Sequence, residues 1–179
     1  MDKYSNLIPE ATCHFYNRAN GNEKLFLSDD NYLFFIQKYS QYLSSIVNTY
    51  CYCLMPNHFH FLISIKSEKE LRNYFSEIKK EEYDLEKQIS NQFSNFFNSY
   101  SKAFNKVYDR KGSLFMNSFK RKHITDKNYL KQVIYYIHHN PAEEDYLIIL
   151  RITNIHLILE AISKISGSNP SRSQPCEGS

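Results

Sequence analysis

Leu54-Met55-Pro56-Asn57-His58-Phe59-His60-Phe61-Leu62-Ile63 is the stretch whose reading decides the fold. Successive side chains of a β-strand leave opposite faces, so His58 and His60 share one face and Phe59, Phe61 and Ile63 the other. The aromatic side reads as core. Two imidazoles leaving the opposite side read as half of a metal site, or, more plainly, as strand histidines satisfied by backbone or water. Pro56-Asn57 interrupts the apolar run of residues 46–54 just upstream. That run and the histidine strand therefore read as antiparallel neighbours joined by a short turn.

Outward from this pair, residues 12–16 read as a first strand, ended by the turn-rich Asn17-Arg18-Ala19-Asn20-Gly21-Asn22. Ser28-Asp29-Asp30 starts a helix with acids in its first turn, and Leu33, Ile36, Tyr39 and Leu43 form its apolar stripe. Residues 67–108 read as largely helical. A charged, solvent-facing helix over residues 68–88 looks like an insertion, and Phe93, Phe96, Phe97, Tyr100 and Phe104 follow as an aromatic core stripe. Asp109-Arg110-Lys111-Gly112 is a turn, and residues 115–124 hold a fourth strand. Asp126 caps a helix that Pro141 stops at Asn140. Ile148, Ile149, Leu150 and Ile152 form either a last strand or the start of a helix to Ile165. From residue 166 onward Gly, Ser, Asn and Pro dominate, as in a disordered tail. This order predicts an α+β fold, an antiparallel sheet with helices packed on one face, within one domain over residues 1–165.

A chain of 179 residues can bury one sizeable core, and 15 Tyr and 13 Phe without Trp predict that rings fill it. Cys13, Cys51, Cys53 and Cys176 contain no Cys-x-x-Cys pair, which excludes a zinc knuckle or a dithiol redox motif and leaves small reduced thiols. Met1-Asp2-Lys3 leads into a polar segment, and no apolar run reaches the length of a membrane span, so the expected location is cytoplasmic. The net charge of +3 is modest, but its distribution is uneven. Lys102, Lys106, Arg110, Lys111, Lys120, Arg121 and Lys122 face only Asp109, and Tyr100, Phe104, Tyr108, Phe115 and Phe119 lie among them. Cations that track phosphates beside rings that stack bases make a single-strand binding surface.

The decapeptide resembles the Met-Pro-Asn-His-x-His strand of the HUH-type tyrosine transposases, closest to the REP-associated tyrosine transposases. Gly112-Ser113-Leu114-Phe115-Met116-Asn117-Ser118-Phe119-Lys120 is similar to the family's Gly-x-Leu-Phe-x-x-x-Phe-Lys segment. Tyr136-Ile137-His138-His139-Asn140-Pro141 is similar to its Tyr-Ile-x-x-Asn-Pro helix, and Tyr16-Asn17-Arg18 with Gly21 to its first strand and turn. Together these span roughly residues 10–145 in the family's order. Phe59 between the histidines and Ala142 after the proline depart from the commoner smaller aliphatics and valine, and neither is a proposed ligand.

The resemblance implies a ferredoxin-like or RRM-like sheet with the histidine strand at its centre, and a metal-dependent enzyme that cuts and rejoins single-stranded, hairpin-forming DNA. Tyr136 would be the nucleophile of a 5′-phosphotyrosine intermediate, and His58, His60 and Asn140 would ligate Mg²⁺ or Mn²⁺. The apolar stripe Leu130, Val133, Ile134 and Ile137 by itself leaves both Tyr135 and Tyr136 open as nucleophiles. Arg18, Lys111, Lys120, Arg121 and Lys122 are candidates for phosphate contacts; His138 and His139 read as ordinary helix-end residues, and His14 takes no role. Members of the family act as monomers or as homodimers, in transposition or as domesticated relatives. Two other readings compete: a non-catalytic single-strand binding module on an RRM-like sheet, which lacks the expected signature run here, and a metal hydrolase using water, which lacks a carboxylate beside the histidines.

Overall fold

The computed structural model of the chain describes residues 5–78, 84–116, 118–139 and 151–152. The stretch around the histidines is a strand, β3 (His58–Ile65), and two residues separate it from β2 (Val47–Met55). These two strands and β1 (Thr12–Arg18), β4 (Lys120–His123) and β5 (Arg151–Ile152) form one antiparallel sheet in the order β4-β1-β3-β2-β5. The histidine strand lies at its centre. Its register with β1 sets Phe15 opposite Phe61, Tyr16 opposite His60 and Arg18 opposite His58.

One face of the sheet is an aromatic core. Phe15, Phe59 and Phe61 project from it and are fully buried. They meet α1 (Asp29–Leu43) and α3 (Leu85–Val107): the Phe35 ring lies 5.2 Å from Phe59, and Phe93 stands edge-on to Phe15 at 5.2 Å. Ring edges packed against faces favour such contacts beyond area burial alone. The α3 stripe Ile89, Phe93, Phe96, Tyr100 and Phe104 is buried as its spacing predicts. Buried hydroxyls are satisfied within this layer, Tyr100 Oη by donating to the Leu25 carbonyl (2.6 Å) and Tyr39 Oη by pairing with Thr49 Oγ1 (2.7 Å). α2 (Glu68–Ile78) lays Leu71 and Phe75 into the same core.

The α+β sandwich thus stands as expected, with two refinements. The polar segment of residues 68–88 is not one helix: α2 ends at Ile78, and α3 begins at Leu85 behind Asp84, whose side chain accepts from the Lys87 amide at 3.2 Å. The fourth helix, α4 (Lys127–His139), packs on the opposite face of the sheet and covers only part of it. Leu130, Val133 and Ile137 bury against Cys51, Cys53, Met55 and Leu62. Asp126 caps α4 by accepting from the Tyr129 amide at 2.8 Å. Cys13, Cys51 and Cys53 are buried free thiols, and burial pushes each up to about 12. Of the run ending at Ile152, residues 151–152 form the strand β5 against β2. The expectations for Asn140, for residues 141–150 and for everything after Ile152 lie outside the described residues.

Phe35 couples α1 to both the sheet and α3. Phe35→Ala is expected to lower unfolding stability by about 3–5 kcal/mol, measured by urea denaturation. The buried face of α1 is Tyr32, Phe35, Tyr39 and Leu43, not the expected stripe through Leu33 and Ile36: Leu33 is exposed and Ile36 half-buried. Leu33→Ala should therefore change stability by less than about 0.5 kcal/mol. Equal effects would contradict this assignment of faces.

Candidate active site

Opposite the aromatic core, the strand register builds a patch of titratable and cationic groups. Residues directly opposed in an antiparallel pair project to the same face. Lys120, Tyr16, His60 and Cys53 therefore form one row across β4, β1, β3 and β2, with Lys122, His14, Leu62 and Cys51 in a neighbouring row. Arg18, His58 and Met55 form a third. α4 covers the Leu62–Cys51 end of this face and leaves the histidine end open.

His60 is the best-defined group here. It is 6% exposed, and its Nδ1 lies 2.9 Å from Nε2 of His14, which is 7% exposed. Tyr16 stacks on both imidazoles, with centroids 4.7 Å from His14 and 5.4 Å from His60. His58 stands edge-on to His60 at 5.2 Å, with Nδ1 2.6 Å from Asn57 Oδ1. Nε2 of His60 is buried and has no hydrogen-bond partner among the described residues. Burial dominates the titration of this pair: it holds the His60 imidazolium down at about 2, helped by its histidine neighbours, and His14 at about 4, helped by the Lys122 ammonium. Both rings are therefore neutral, the form that binds a metal ion.

α4 brings Tyr136 to this patch. Its ring stands edge-on to His60 at 5.0 Å, and 44% of the residue is exposed. Tyr135, the other tyrosine the stripe left open, points away, stacked on His139 at 3.6 Å. His138 and His139 bond through Nδ1 to carbonyls one turn back, as helix-end residues do. A cavity of about 350 Å³ opens between Tyr136 and the strands, lined by Tyr16, Arg18, Asn57, His58, His60, Met116 and Lys120 among others. Three chain segments close its wall. The Ala19 amide donates to the Asn57 carbonyl at 2.7 Å, and the Met116 amide donates to the Arg18 carbonyl at 3.0 Å. Asn17 Nδ2 donates to the Met116 carbonyl at 3.3 Å. The loop carrying Met116 follows Asp109 and Gly112 at positive φ, +46° and +90°, the second a backbone conformation that glycine adopts at least cost.

The cationic candidates divide. Arg18 and Lys120 line the cavity. Lys122 lies on the same face but sits over the Tyr129 ring, 3.5 Å from its centroid. Arg121 belongs to the other face, in a larger groove of about 660 Å³ along α3 that meets the cavity only at Asn17 and Met116. That groove has no imidazole or tyrosine in its lining. Lys111 is exposed and lines neither. Among the described residues, no three His, Cys, Asp or Glu side chains cluster as a metal-binding set, and Asn140 lies outside those residues. Sequence reasoning missed His14, Tyr16 and Met116; the alternation of His14 with Tyr16 on β1 was the available signal.

No family model and no curated protein matches the chain. Among solved structures it is similar to a REP-associated tyrosine transposase bound to a REP hairpin, with a TM-score of 0.58 and 13% identity over 82% of this chain and 76% of that one. At this identity the likeness is one of fold. No helix among the described residues is long and apolar enough to cross a membrane.

The buried pair sets a pH dependence. Unfolded histidine takes up its proton near pH 6.5, whereas folded His14 and His60 resist it down to about 4 and about 2. Between pH 6.5 and 4 the unfolded chain thus binds more protons, and folding stability falls as pH falls. With chelator present, urea unfolding should show a loss of about 3 kcal/mol for each histidine, on the order of 6 kcal/mol for the pair, from pH 7 to pH 4. A dependence as flat as that of a His14→Gln, His60→Gln double variant would show that the pair is not held neutral.

Proposed function

We propose that this protein cuts and rejoins single-stranded DNA by transesterification, with Tyr136 as nucleophile. The observation that carries the reading is an accessible tyrosine set edge-on, 5.0 Å away, to a buried neutral histidine at the mouth of a cation-flanked cavity. The likeness of fold to a transposase bound to a DNA hairpin supports it.

The donor set suits a divalent ion. Nε2 of His60 is buried without a partner among the described residues, His60 lines the cavity, and His58 leaves the same strand face one step away. His58 and His60 would hold Mg²⁺ or Mn²⁺, with Asn140 as the third ligand. Once bound, the ion would neutralise charge on the phosphoryl oxygens. Arg18 and Lys120, which line the cavity, bind the flanking phosphates and hold the scissile one before Tyr136.

Tyr136 Oη then forms a bond to phosphorus as the bond to the 3′ oxygen breaks. The phenol gives up a proton and the departing oxygen gains one, leaving a 5′-phosphotyrosine and a free 3′-OH. The charge on phosphorus is unchanged, and the phenolate remains a competent leaving group, so a 3′-OH can reverse the step. A water nucleophile would release the 5′ phosphate and forfeit rejoining. Two features favour this reading over the competing ones. A pure stacking platform does not require a neutral histidine pair beside an open tyrosine, and a hydrolase requires a base, whereas no carboxylate lines the cavity among the described residues.

Incubation with Mn²⁺ and labelled single-stranded hairpin DNA should give a covalent protein–DNA band on a denaturing gel. Tyr136→Phe should abolish it, Tyr135→Phe should leave it within about threefold, and His60→Ala should reduce it at least about 100-fold. DNA retarded on a native gel with no covalent band, across several metals, would replace this reading with the non-catalytic binding module.

A further inference from the structure

We propose that His14 is a positioning residue: its Nε2 accepts a hydrogen bond from Nδ1–H of His60 and so holds that ring with a free lone pair on Nε2. The inference rests on the reading of His60 as a metal ligand under Proposed function, and it assigns a role to a side chain two strand positions from any motif residue on β3.

Two arrangements of one proton are possible across the 2.9 Å contact. Were His14 the donor, His60 would carry its own proton on Nε2. That N–H would be buried and would find no acceptor among the described residues. A buried donor left unpaired costs about 1–3 kcal/mol. With His60 as donor, what remains at Nε2 is a lone pair, the group a cation takes up. His14, neutral, then keeps its proton on Nδ1.

The surroundings favour the same arrangement. The three rings of His14, Tyr16 and His60 lie nearly parallel, at interplanar angles of 22–27°. Rotation of the His60 ring would break this stack as well as the hydrogen bond. His58 repeats the pattern one step along β3, since its Nδ1 meets the Asn57 amide oxygen, which can only accept. Both imidazoles thus have Nδ1 engaged by a neighbour, the arrangement by which an outer hydrogen bond fixes the tautomer of a metal-binding histidine.

Ring ¹⁵N spectra of the metal-free protein, labelled at histidine, test this directly, with the His60 signals assigned by their loss in His60→Gln. Nδ1–H with an unprotonated Nε2 is expected in wild type. Nε2–H at His60 would overturn the proposal, whatever metal the protein binds. Calorimetric titration with Mn²⁺ gives the second arm. His14→Leu, which cannot accept, should weaken Mn²⁺ binding 10- to 100-fold. His14→Gln, whose Oε1 can accept from the position of Nε2, should restore it to within about threefold. Equal Mn²⁺ affinity in wild type and His14→Leu, or equal loss in both variants at matched thermal stability, would also overturn it. Wild type that binds no Mn²⁺ but shows the expected tautomer would sink the metal reading and leave the ring-positioning role standing.

Discussion

The pairing register of β1 with β3 is the constraint on which everything else here depends. Side chains alternate with a period of two, so a slip of one residue would turn Phe15, Phe59 and Phe61 toward the open face and the histidines into the aromatic core. In the observed register Phe15 lies opposite Phe61 and Tyr16 opposite His60. Burial of the rings therefore selects the alignment, and the alignment builds the site. Each fully buried phenylalanine contributes roughly 2–3 kcal/mol relative to exposure, so a slipped sheet would forfeit several such contributions and also bury two imidazoles without partners. The geometry of His14, Tyr16 and His60 follows from a packing preference of residues that never touch the cavity.

The same arrangement explains why the histidine face is only half covered. β3 carries His58 and His60 on this face at one end, then Leu62; β2 carries Cys51 and Cys53 beside them. Leu130, Val133 and Ile137 of α4 need an apolar bed and find it over Leu62, the two thiols and Met55. On β3 and β1 the polar end offers no comparable surface. α4 therefore stops its apolar contacts near His60, and Tyr136, one residue before Ile137, falls at the boundary with its ring over the imidazole. Anchorage of one helix face and exposure of a tyrosine beside it are a single consequence of where the strand changes from apolar to polar.

Much of this was legible in the sequence, and the failures share a cause. The central strands, the aromatic stripe of α3 and the cap at Asp126 follow from local periodicity and local hydrogen bonding, so residues near in sequence suffice to read them. The break before α3 was legible too, because Asp84 three residues ahead of Lys87 is an N-cap pattern, but the surrounding charge suggested one continuous helix. His14 could not be assigned. Its partner His60 is 46 residues away, and only the β1–β3 register brings the two rings to 2.9 Å. Arg121 and Lys122 show the same limit: adjacent in sequence, they project to opposite faces, so one basic cluster in the sequence becomes two separate surfaces. The face chosen by α4 was the subtlest case, since its stripe predicts burial without saying against what. The change from His60 to Leu62 along one strand face was the clue.

A likeness of fold at 13% identity is what such a division of labour permits. The aromatic layer asks for volume and alternation, and many ring and aliphatic combinations fill it. Fold likeness by itself therefore says little about chemistry. The open face is more demanding. The proposed chemistry asks for a neutral imidazole with its hydrogen-bond partner on the diagonal of the next strand, a tyrosine on a helix that ends its apolar stripe beside that imidazole, and cations at the rim. Tyr136, His60, His14, Arg18 and Lys120 meet these conditions together, though they come from β1, β3, β4 and α4. No requirement of the core explains that convergence. Burying two imidazoles in contact lowers stability as the pH falls, whereas a leucine at either position would pack the same sheet without that cost. On the proposed reading the two rings beside an exposed tyrosine serve the reactivity of that face, and the aromatic layer offsets the stability they cost.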